Sequence, residues 1–509
     1  MSTANDYQEH HFDEEKEQVV SFVDKLKFFI ITSVGFFSDG WLNGGFSYIV
    51  TMVGYTYWNG GSIPSISQSL IKAGLSIGMI AGMVVFGFFG DAVGRHKVYG
   101  KELIFTLLGT LMIVLTPWNN FSEQSVISWM TVWRVVTGFG VGGDYPMSAS
   151  MNSETKLGMS RAKLITTSFF IYQMGTLLFT IFFLIVIVGY KTKIEANLHN
   201  VTYVWRLLFG LGMIPGFASL YERLTMKETK PYEKYVSNNT GLTGDNVRTS
   251  KDGSKDFFEY FNFKTAVNRR HVLTLVSTAL TWFFFDIAIY GFSLNNSNIL
   301  ALIGYGTGKT KYETLYNTAV GAIIITIFGI VGNFIGIFLP DILGRRMCLI
   351  GGCFICAVLY AIWAGVEKSA STGGLMAIFV VSSVFLQGGP NNMTFLVPIE
   401  VFPTRVRGTA HGISAAAGKC GALLTAFAFG YLSTNAGLAA AIGLCSGVMA
   451  LATITSFGVP EVLGLTLDDI ENDLQYLPRK KRLAHIAARV DKRTAYASAP
   501  AQVEEKEEI

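Results

Sequence analysis

The sequence predicts an all-α membrane protein with twelve transmembrane helices arranged as two pseudo-symmetric six-helix halves. Three observations predict this class: an apolar composition, recurring apolar runs of membrane-spanning length, and polar motifs of the first half that return in the second. Half of the 509 residues are hydrophobic and only 15% are charged, whereas soluble domains carry about 25% charged residues. The mean hydropathy of +0.40 agrees with this class.

Twelve apolar runs of roughly 20 residues, the length that crosses a bilayer, follow one another along the chain. They centre on 28–53, 67–90, 98–116, 125–150, 162–189, 203–221, 272–294, 316–340, 347–366, 374–398, 408–433 and 438–459. The acidic start of the chain lacks the pattern of a cleaved signal peptide. The predicted organisation is a tail, a six-helix half, a central loop, a second six-helix half and a tail, at 1–26, 27–222, 223–270, 271–460 and 461–509.

The distribution of Lys and Arg predicts the orientation, because cytoplasmic loops are enriched in both. Basic residues follow the second, fourth, eighth and tenth runs: Arg95 and Lys97, Lys156 and Arg161, Arg345 and Arg346, Arg405 and Arg407. The central loop and the C-terminal tail are basic too, so both termini are expected in the cytoplasm. The sequons at Asn120 and Asn200 then fall in outer loops, where a glycan could be added.

Charged motifs at the ends of the runs repeat between the halves. "GDAVGRHK" returns as "PDILGRRM" 250 residues later, and "SETKLGMSRAK" and "IEVFPTRVRGT" share a Glu and an Arg at an offset of 246. We expect these charges to form salt bridges and helix caps that open and close the cytoplasmic side. The gating residues predicted in this way are Asp91, Arg95, Glu154, Arg161, Asp341, Arg345, Glu400 and Arg407.

Polar residues inside the runs repeat at nearly the same offset. The matched pairs are Asp39 with Asp286, Tyr145 with Asn391, and Gln173 with Lys419. A single polar residue could be a helix–helix hydrogen bond, but three matched pairs are poorly explained in that way. Ionisable groups in hydrocarbon cost several kcal/mol unless they face a cavity or a partner. Two halves that meet around a midplane polar cavity are typical of transporters.

The seventh run places a polar stripe on one helix face. Trp282, Asp286 and Tyr290 are spaced at i, i+4 and i+8, so they drift only about 80° around a helix. Trp and Tyr alone would be typical of an interfacial belt, but the Asp between them argues against that. An indole N–H, a carboxylate and a phenol on one stripe can hydrogen-bond an oxyanion.

The stretch "GFGVGGDYPMSASMNSE" lies late in the fourth run, which argues against a dinucleotide-binding loop. Gly138, Gly142 and Gly143 are expected to let a neighbouring helix approach closely. Asp144 and Tyr145 are both expected to point into the cavity.

Several longer motifs make the chain similar to a known family. "GGDYPMSASMNSE", "WFFFDIAIYGFSLNNS", "GGPNNMTFLVPIEVFPTR" and "GTAHGISAAAGKCGA" resemble the phosphate:proton symporter family of fungi and plants, within the major facilitator superfamily. The resemblance covers roughly residues 25–460 and implies the major facilitator fold. It also implies uptake of a phosphate-bearing small anion with protons across the plasma membrane.

The resemblance implies roles for individual residues. The phosphate-binding positions would be Tyr145, Gln173, Trp282, Asp286, Tyr290, Asn391 and, as a buried lysine of the family, Lys419. The proton-coupling acids would be Asp39, Asp144 and Asp286.

One region departs from the phosphate carriers, which usually show Asp-Ala-Tyr-Asp in the first run. Here "SDGWLNGG" keeps Asp39 but has Leu42 at the second acid position, and it resembles the related glycerophosphodiester permeases. Gly40, Gly44 and Gly45 are expected to remove side-chain volume beside the cavity and so admit a substituent on the phosphate. The sequence therefore narrowly favours a glycerophosphodiester such as glycerophosphocholine or glycerophosphoinositol, with inorganic phosphate as the alternative.

Two other classes stay open at this point: a nutrient sensor on the same fold, and a membrane phosphatase or lipid hydrolase. A sensor would be favoured by a longer cytoplasmic loop or tail, and a hydrolase would need a nucleophile–base pair. No ATP-binding loop is present, which favours a proton gradient as the energy source. Neither a cofactor, a metal site nor a nucleic-acid partner is predicted. The expected partners are the anion, protons and the lipid bilayer, for a protein that functions as a monomer and not as an enzyme.

Overall fold

The computed structural model describes residues 22–58, 61–117, 121–154, 159–237 and 253–497, and within these ranges the regular structure is helical. The long helices are α1 (Phe22–Gly44), α2 (Phe46–Tyr57), α3 (Ser65–Val93), α4 (Lys101–Val114), α5 (Glu123–Ser153), α6 (Arg161–Gly189), α7 (Val201–Leu224), α8 (Ala266–Ser293), α9 (Lys311–Leu343), α10 (Arg345–Val366), α11 (Thr372–Leu386), α12 (Asn392–Val401), α13 (Thr404–Asn435), α14 (Leu438–Ser456) and α15 (Arg479–Ala497). Shorter helical segments span Arg95–Val98, Lys191–Ala196, Leu198–Asn200, Lys230–Tyr232, Glu233–Ser237, Gly253–Tyr260, Asn296–Leu302, Gln387–Asn391, Leu467–Glu471 and Leu474–Tyr476.

Each of the twelve apolar runs is helical, and the all-α membrane class is confirmed. Among the described residues, nine helical segments are long and apolar enough to cross a membrane by length and composition. The other three runs do not meet these criteria of length and composition, each for a local reason. The first run is divided at Gly45 into α1 and α2, α4 has only 14 residues, and α5 carries a polar C-terminal half.

Side-chain caps set where several helices begin. The Ser122 hydroxyl accepts from the Ser125 amide at the start of α5, and the Ser160 hydroxyl accepts from the Lys163 amide at the start of α6. Such caps satisfy amides that have no partner within the helix. The polar residues at these positions therefore begin the helices where the apolar runs start.

The repeated Gly-Arg motifs form matching turns in the two halves. Gly94 after α3 has a φ of 112°, and Gly344 after α9 has a φ of 87°. Only glycine adopts such positive φ values without strain. Each turn is held by a carboxylate, since Glu228 accepts from the His96 amide and Glu461 accepts from the Arg345 amide.

Close helix packing explains the glycines of α5. A Cβ on Gly138 would lie 2.1 Å from the Leu75 carbonyl oxygen, and a Cβ on Gly142 would lie 2.4 Å from that of Met79. The predicted close approach of a neighbouring helix is thus confirmed, and that helix is α3. Helix α3 also packs against α13 of the other half, while α6 packs against α1 and α9.

The glycines of the first run have a packing role too, and the expectation that they lie beside the cavity is wrong for Gly40 and Gly45, whereas Gly44 is part of the cavity lining. A Cβ on Gly40 would lie 1.8 Å from the Tyr172 carbonyl oxygen. The nearest neighbours of a Cβ on Gly44 and on Gly45 are the side chains of Thr176, at 2.3 Å, and Phe179, at 2.1 Å. Helix α6 therefore packs against all three glycines, and at Gly44 the Thr176 side chain of α6 lines the cavity beside it.

The C-terminal helix α15 is anchored through Asp469. The carboxylate contacts His485 Nε2 at 2.9 Å and also accepts from Arg489, whose guanidinium donates to the Gly464 carbonyl as well. Burial alone would raise the pKa of Asp469, but hydrogen bonds from Thr466, His485 and Arg489 outweigh it and hold the pKa below its ordinary value.

Candidate substrate cavity and its gates

A cavity of about 140 Å³ lies between the two halves. It is lined by all seven residues expected to bind substrate: Tyr145, Gln173, Trp282, Asp286, Tyr290, Asn391 and Lys419. Helices α5 and α6 of the first half and α8, α13 and the Gln387–Asn391 turn of the second half supply them. The structure therefore brings these residues together, as the matched offsets predict.

An ion pair dominates one wall of the cavity. The Lys419 ammonium donates to Asp286 at 2.8 Å and to the Tyr290 hydroxyl at 2.9 Å. Side chains four residues apart on α8 share a face, which is why Asp286 and Tyr290 reach the same cation. The pair places one positive and one negative charge beside a space that an anion could enter.

A π-helical turn interrupts the tenth run at Gln387–Asn391 and aims two amides into the cavity. The Gln387 Oε1 atom accepts from Gln173 Nε2 at 2.5 Å, across the two halves, and also accepts from Asn391 Nδ2. Such local π turns occur frequently at functional sites. Gln387 is thus a cavity residue that joins the halves.

The two other acids expected to couple protons lie outside the cavity lining. Asp144 accepts from Arg223 Nη1 at 2.8 Å, and the same guanidinium contacts Glu102 at 3.4 Å. The expectation that Asp144 points into the cavity is wrong, because neighbouring helix residues are about 100° apart and Tyr145 takes the cavity side. Asp39 is buried, its Oδ2 lacks a hydrogen-bond partner among the described residues, and it interacts electrostatically with Asp144 and Arg223.

The predicted gating residues lie together on one side of the molecule, called the basic face below. One network joins the halves through Glu154, which contacts Arg95 at 3.2 Å and Arg407 at 3.0 Å. Arg95 also donates to the Thr404 carbonyl at 2.8 Å. Asp91 accepts from the Thr409 amide at 2.7 Å, so the first turns of α13 are tied to the end of α3.

The second copy of the motif forms a related network. Arg345 pairs with Glu400 at 2.6 Å and with Asp341 at 3.3 Å. Asp341 in turn accepts from Ser160, the cap of α6, at 2.5 Å. Each motif Asp therefore contacts the first turns of a helix of the opposite half, where a negative charge is favourable. Arg161 donates to the Leu465 carbonyl at 2.8 Å.

Comparisons with known proteins agree with this architecture. Residues 19–474 match the family model described as "Sugar (and other) transporter". The chain belongs to this family. It is a membrane-spanning transporter of the major facilitator superfamily and not an enzyme.

Two relatives and one solved structure illustrate the similarity. The chain is 34% identical to the repressible high-affinity phosphate permease of Neurospora crassa, over 87% of this chain and 85% of the relative. It is 33% identical to the inorganic phosphate transporter PHO84 of Saccharomyces cerevisiae, over 89% and 85%. The proton:xylose symporter XylE of E. coli, bound to 6-bromo-6-deoxy-D-glucose, has a TM-score of 0.64 at 16% identity, with 88% of this chain and 98% of that chain covered, and shows the fold.

This transporter also has contacts between its halves on the face opposite the basic face. The Ser47 and Ser297 hydroxyls lie 2.8 Å apart, and Asn296 donates to the Tyr48 hydroxyl at 2.8 Å. The buried Lys72 donates to the Asn295 side chain at 3.0 Å. Contacts that join the halves therefore lie on both sides of the cavity along the helix axes.

Sequence patterns miss several residues of the transporter site. Gln387 carries one available signal, since it lies four residues before Asn391 and so on the same helix face. Arg223 was assigned to the start of the central loop, but it belongs to α7 and pairs with Asp144. The sequence does not reveal this partner, because the pairing depends on how α7 packs in the fold, where the Arg223 guanidinium reaches both Glu102 of α4 and Asp144 of α5.

The structure describes only one of the two glycosylation sequons. Asn120 lies outside the described residues. Asn200 is half-buried, and its amide donates to the Lys193 carbonyl at 2.8 Å. Glycan addition at either site stays a prediction.

Proposed function

We propose that this transporter takes up inorganic phosphate together with protons across the plasma membrane. The observation that carries the proposal is the similarity at 33–34% identity, across nearly the whole chain, to the phosphate permease of N. crassa and the inorganic phosphate transporter of S. cerevisiae. The cavity supports it, because its donors and its one lysine suit a small oxyanion.

The packing of the first run weakens the reason to favour a glycerophosphodiester. That preference rests on space beside Gly40, Gly44 and Gly45, but α6 packs against all three, and of these glycines Gly44 alone lines the cavity. A cavity of about 140 Å³ suits phosphate better than a diester with several times as many heavy atoms. The inorganic phosphate alternative is therefore the one we propose.

In the proposed mechanism, Asp286 and Lys419 couple the proton to the anion. The two side chains neutralise each other in the unloaded site. Protonation of Asp286 releases the Lys419 ammonium from its ion pair, and the ammonium then binds phosphate together with Tyr145, Gln173 and Asn391. Phosphate and proton are consequently favoured in the same state, which is the requirement for symport. Asp39 and Asp144, together with Arg223, would pass the proton on within the first half.

The basic face would act as the cytoplasmic gate. We propose that the halves at 27–222 and 271–460 rock about the cavity and that the Asp91–Arg95–Glu154–Arg407 network opens to release phosphate. In this topology the tails at 1–26 and 461–509 and the loop at 223–270 are cytoplasmic. The protein would function as a monomer, since one chain supplies the complete cavity.

Uptake into proteoliposomes tests the proposal. Radiolabelled phosphate should accumulate when the outside is acidic, and a protonophore should abolish the accumulation. A large excess of glycerophosphocholine or glycerophosphoinositol should leave phosphate uptake unchanged. Uptake of labelled diester without uptake of phosphate would instead restore the diester assignment, and accumulation that ignores the protonophore would exclude proton coupling.

A further inference from the structure

A buried histidine with unused hydrogen-bonding capacity lies between the cavity and the basic face. His411 on α13 is completely buried, and neither of its ring nitrogens makes a hydrogen bond of good geometry within the described chain. The ring has one weak polar contact, a hydrogen bond with the Phe395 backbone that falls short of good geometry. A buried polar group left unsatisfied costs about 1–3 kcal/mol, so an apolar residue would be more stable at this position in the closed state.

The position of His411 along α13 places it on the basic-face side of the substrate residues. It precedes Lys419 by eight residues, which is about 12 Å along a helix and about 80° around it. It follows Thr409, whose amide binds Asp91 at the basic face, by two residues. His411 thus lies between the cavity cation and the gate.

An aromatic cluster separates His411 from the cavity. Phe395 is its centre, with ring centroids 5.4 Å from Phe36, 5.1 Å from Phe169 and 5.2 Å from His411. The His411 ring also meets the edge of the cavity residue Trp282 at 5.5 Å. Phosphate that moves from Lys419 toward the basic face would have to displace this cluster, and it would then reach the imidazole.

Opening of the basic face would expose the same residue. His411 is adjacent to Gly412, and a Cβ there would lie 2.3 Å from the Met83 carbonyl oxygen of α3, so the halves touch beside it. Separation of α3 from α13 removes that contact. An imidazole can donate a hydrogen bond to a phosphate oxygen in its neutral form and can do so from both nitrogens when protonated.

We propose that His411 is a second phosphate-contacting residue, which binds the anion after it leaves Lys419 and before it is released at the basic face. The proposal rests on the proposed phosphate transport. It explains why a ring with unused hydrogen-bonding capacity is kept behind an aromatic cluster. The recognised group is an oxyanion, and the residue acts only in the state in which the basic face is open.

Two substitutions separate this role from packing. His411→Phe keeps an aromatic ring but removes the nitrogens, whereas His411→Gln keeps a polar group but loses the ring. We expect His411→Phe to lower net phosphate influx by about tenfold with the external KM changed less than threefold, and His411→Gln to keep more than half of the wild-type influx. The matched control is Ser414→Ala, one turn from His411 on α13. This substitution removes a buried hydrogen bond to Thr278 and should leave transport normal.

The opposite ranking, or wild-type influx by His411→Phe, would overturn the proposal. Wild-type protein without any phosphate uptake would instead refute the proposed function, so the two failures are distinguishable.

A chemical measurement covers the case in which the variants do not fold. Diethylpyrocarbonate applied to the basic face should modify His411 in cycling wild-type protein, as read by peptide mass spectrometry, and phosphate on that face should slow the reaction. Absence of modification during turnover, or modification that phosphate does not slow, would also overturn the proposal.

Discussion

The Nζ atom of Lys419 lies 2.8 Å from a carboxylate oxygen of Asp286, and both side chains are almost wholly buried. In a low-dielectric site such a pair is stable only while both partners are present, because removal of one leaves an uncompensated charge. Any step that neutralises Asp286 therefore changes what Lys419 can bind. This dependence leads to the first two predictions.

Asp286→Asn should abolish acid-driven accumulation of phosphate. The amide occupies the same space but cannot exchange a proton, so Lys419 stays free of its ion pair at every pH. We expect phosphate–phosphate exchange to remain measurable while accumulation against a gradient falls to background, in proteoliposomes with an acidic exterior. Full pH-dependent accumulation by this variant would remove Asp286 from the coupling mechanism.

Lys419→Met should lower the yield of folded protein, since it leaves the Asp286 carboxylate buried without its cation. Breaking a buried ion pair on one side costs about 3–5 kcal/mol. The double variant Asp286→Asn with Lys419→Met should recover much of the folded yield without recovering transport, as measured by thermal unfolding in detergent and by uptake. A double variant that is no more stable than Lys419→Met would contradict this account of the pair.

Arg95→Ala should slow turnover far more than it weakens binding. Arg95 joins the halves by donating to the Thr404 carbonyl of the second half, and it also pairs with Glu154 of its own half. It lies at the basic face, away from the cavity lining. We expect at least a tenfold fall in maximal uptake with less than a threefold change in KM. Arg346→Ala is the matched control, since that side chain donates to the Phe457 carbonyl within its own half. A change confined to KM would refute the gate.

The contribution of the Asp469 carboxylate to the anchor of α15 should not weaken across the neutral pH range. The pKa of Asp469 is below its ordinary value because hydrogen bonds to the carboxylate outweigh its burial. A carboxyl with a depressed folded-state pKa contributes stability above its unfolded pKa of about 3.9, and this is lost as the pH falls through the folded pKa. The protection factors of the amides of residues 479–491, which correct the exchange rates for their intrinsic pH dependence, should therefore not fall between about pH 8 and pH 5, where the carboxyl stays ionised in both states.

Asp469→Asn should accelerate that exchange at neutral pH, because the neutral amide binds His485 and Arg489 less strongly. Asp491→Asn, which changes an exposed carboxylate on α15 itself, should leave the exchange unchanged. Equal acceleration by both variants would show that α15 is held in place by the net charge of this region and not by the contacts of Asp469.

The sequence is sufficient to predict which faces of the helices meet at the cavity. The spacing of Trp282, Asp286 and Tyr290 and the matched offsets to Asn391 and Lys419 predict one cavity, and these side chains line it. Helical periodicity and the internal repeat carry this information directly. The apolar runs of membrane-spanning length predict the twelve helical segments.

Periodicity does not say which helix lies opposite a given face. The glycines beside Asp39 are expected to open space at the cavity, but the structure packs α6 against all three and leaves Gly44 alone among them in the cavity lining. Asp144 was expected in the cavity, but it differs from Tyr145 by one helical step and meets Arg223 of α7 instead. Contacts between distant segments decided both outcomes.

The last prediction concerns Gln387, which the sequence did not single out. Its Oε1 atom accepts hydrogen bonds from Gln173 and Asn391, so Gln387→Glu can preserve both bonds while it adds a negative charge to the anion cavity. Two charges about 5–7 Å apart at an effective dielectric constant of 20 interact by about 2–3 kcal/mol. The KM for phosphate should therefore rise at least tenfold.

The neutral variant Gln387→Met is the matched control for that charge. It loses the acceptor but leaves the Gln173 and Asn391 amides free to donate to phosphate, so its KM should change less than threefold. Initial rates of labelled phosphate uptake at a fixed external pH give both values. Because the acidic variant repels any anion, a KM equal to that of wild type would mean that phosphate does not bind beside Gln387, and the cavity between the halves would then lose its assignment as the substrate site.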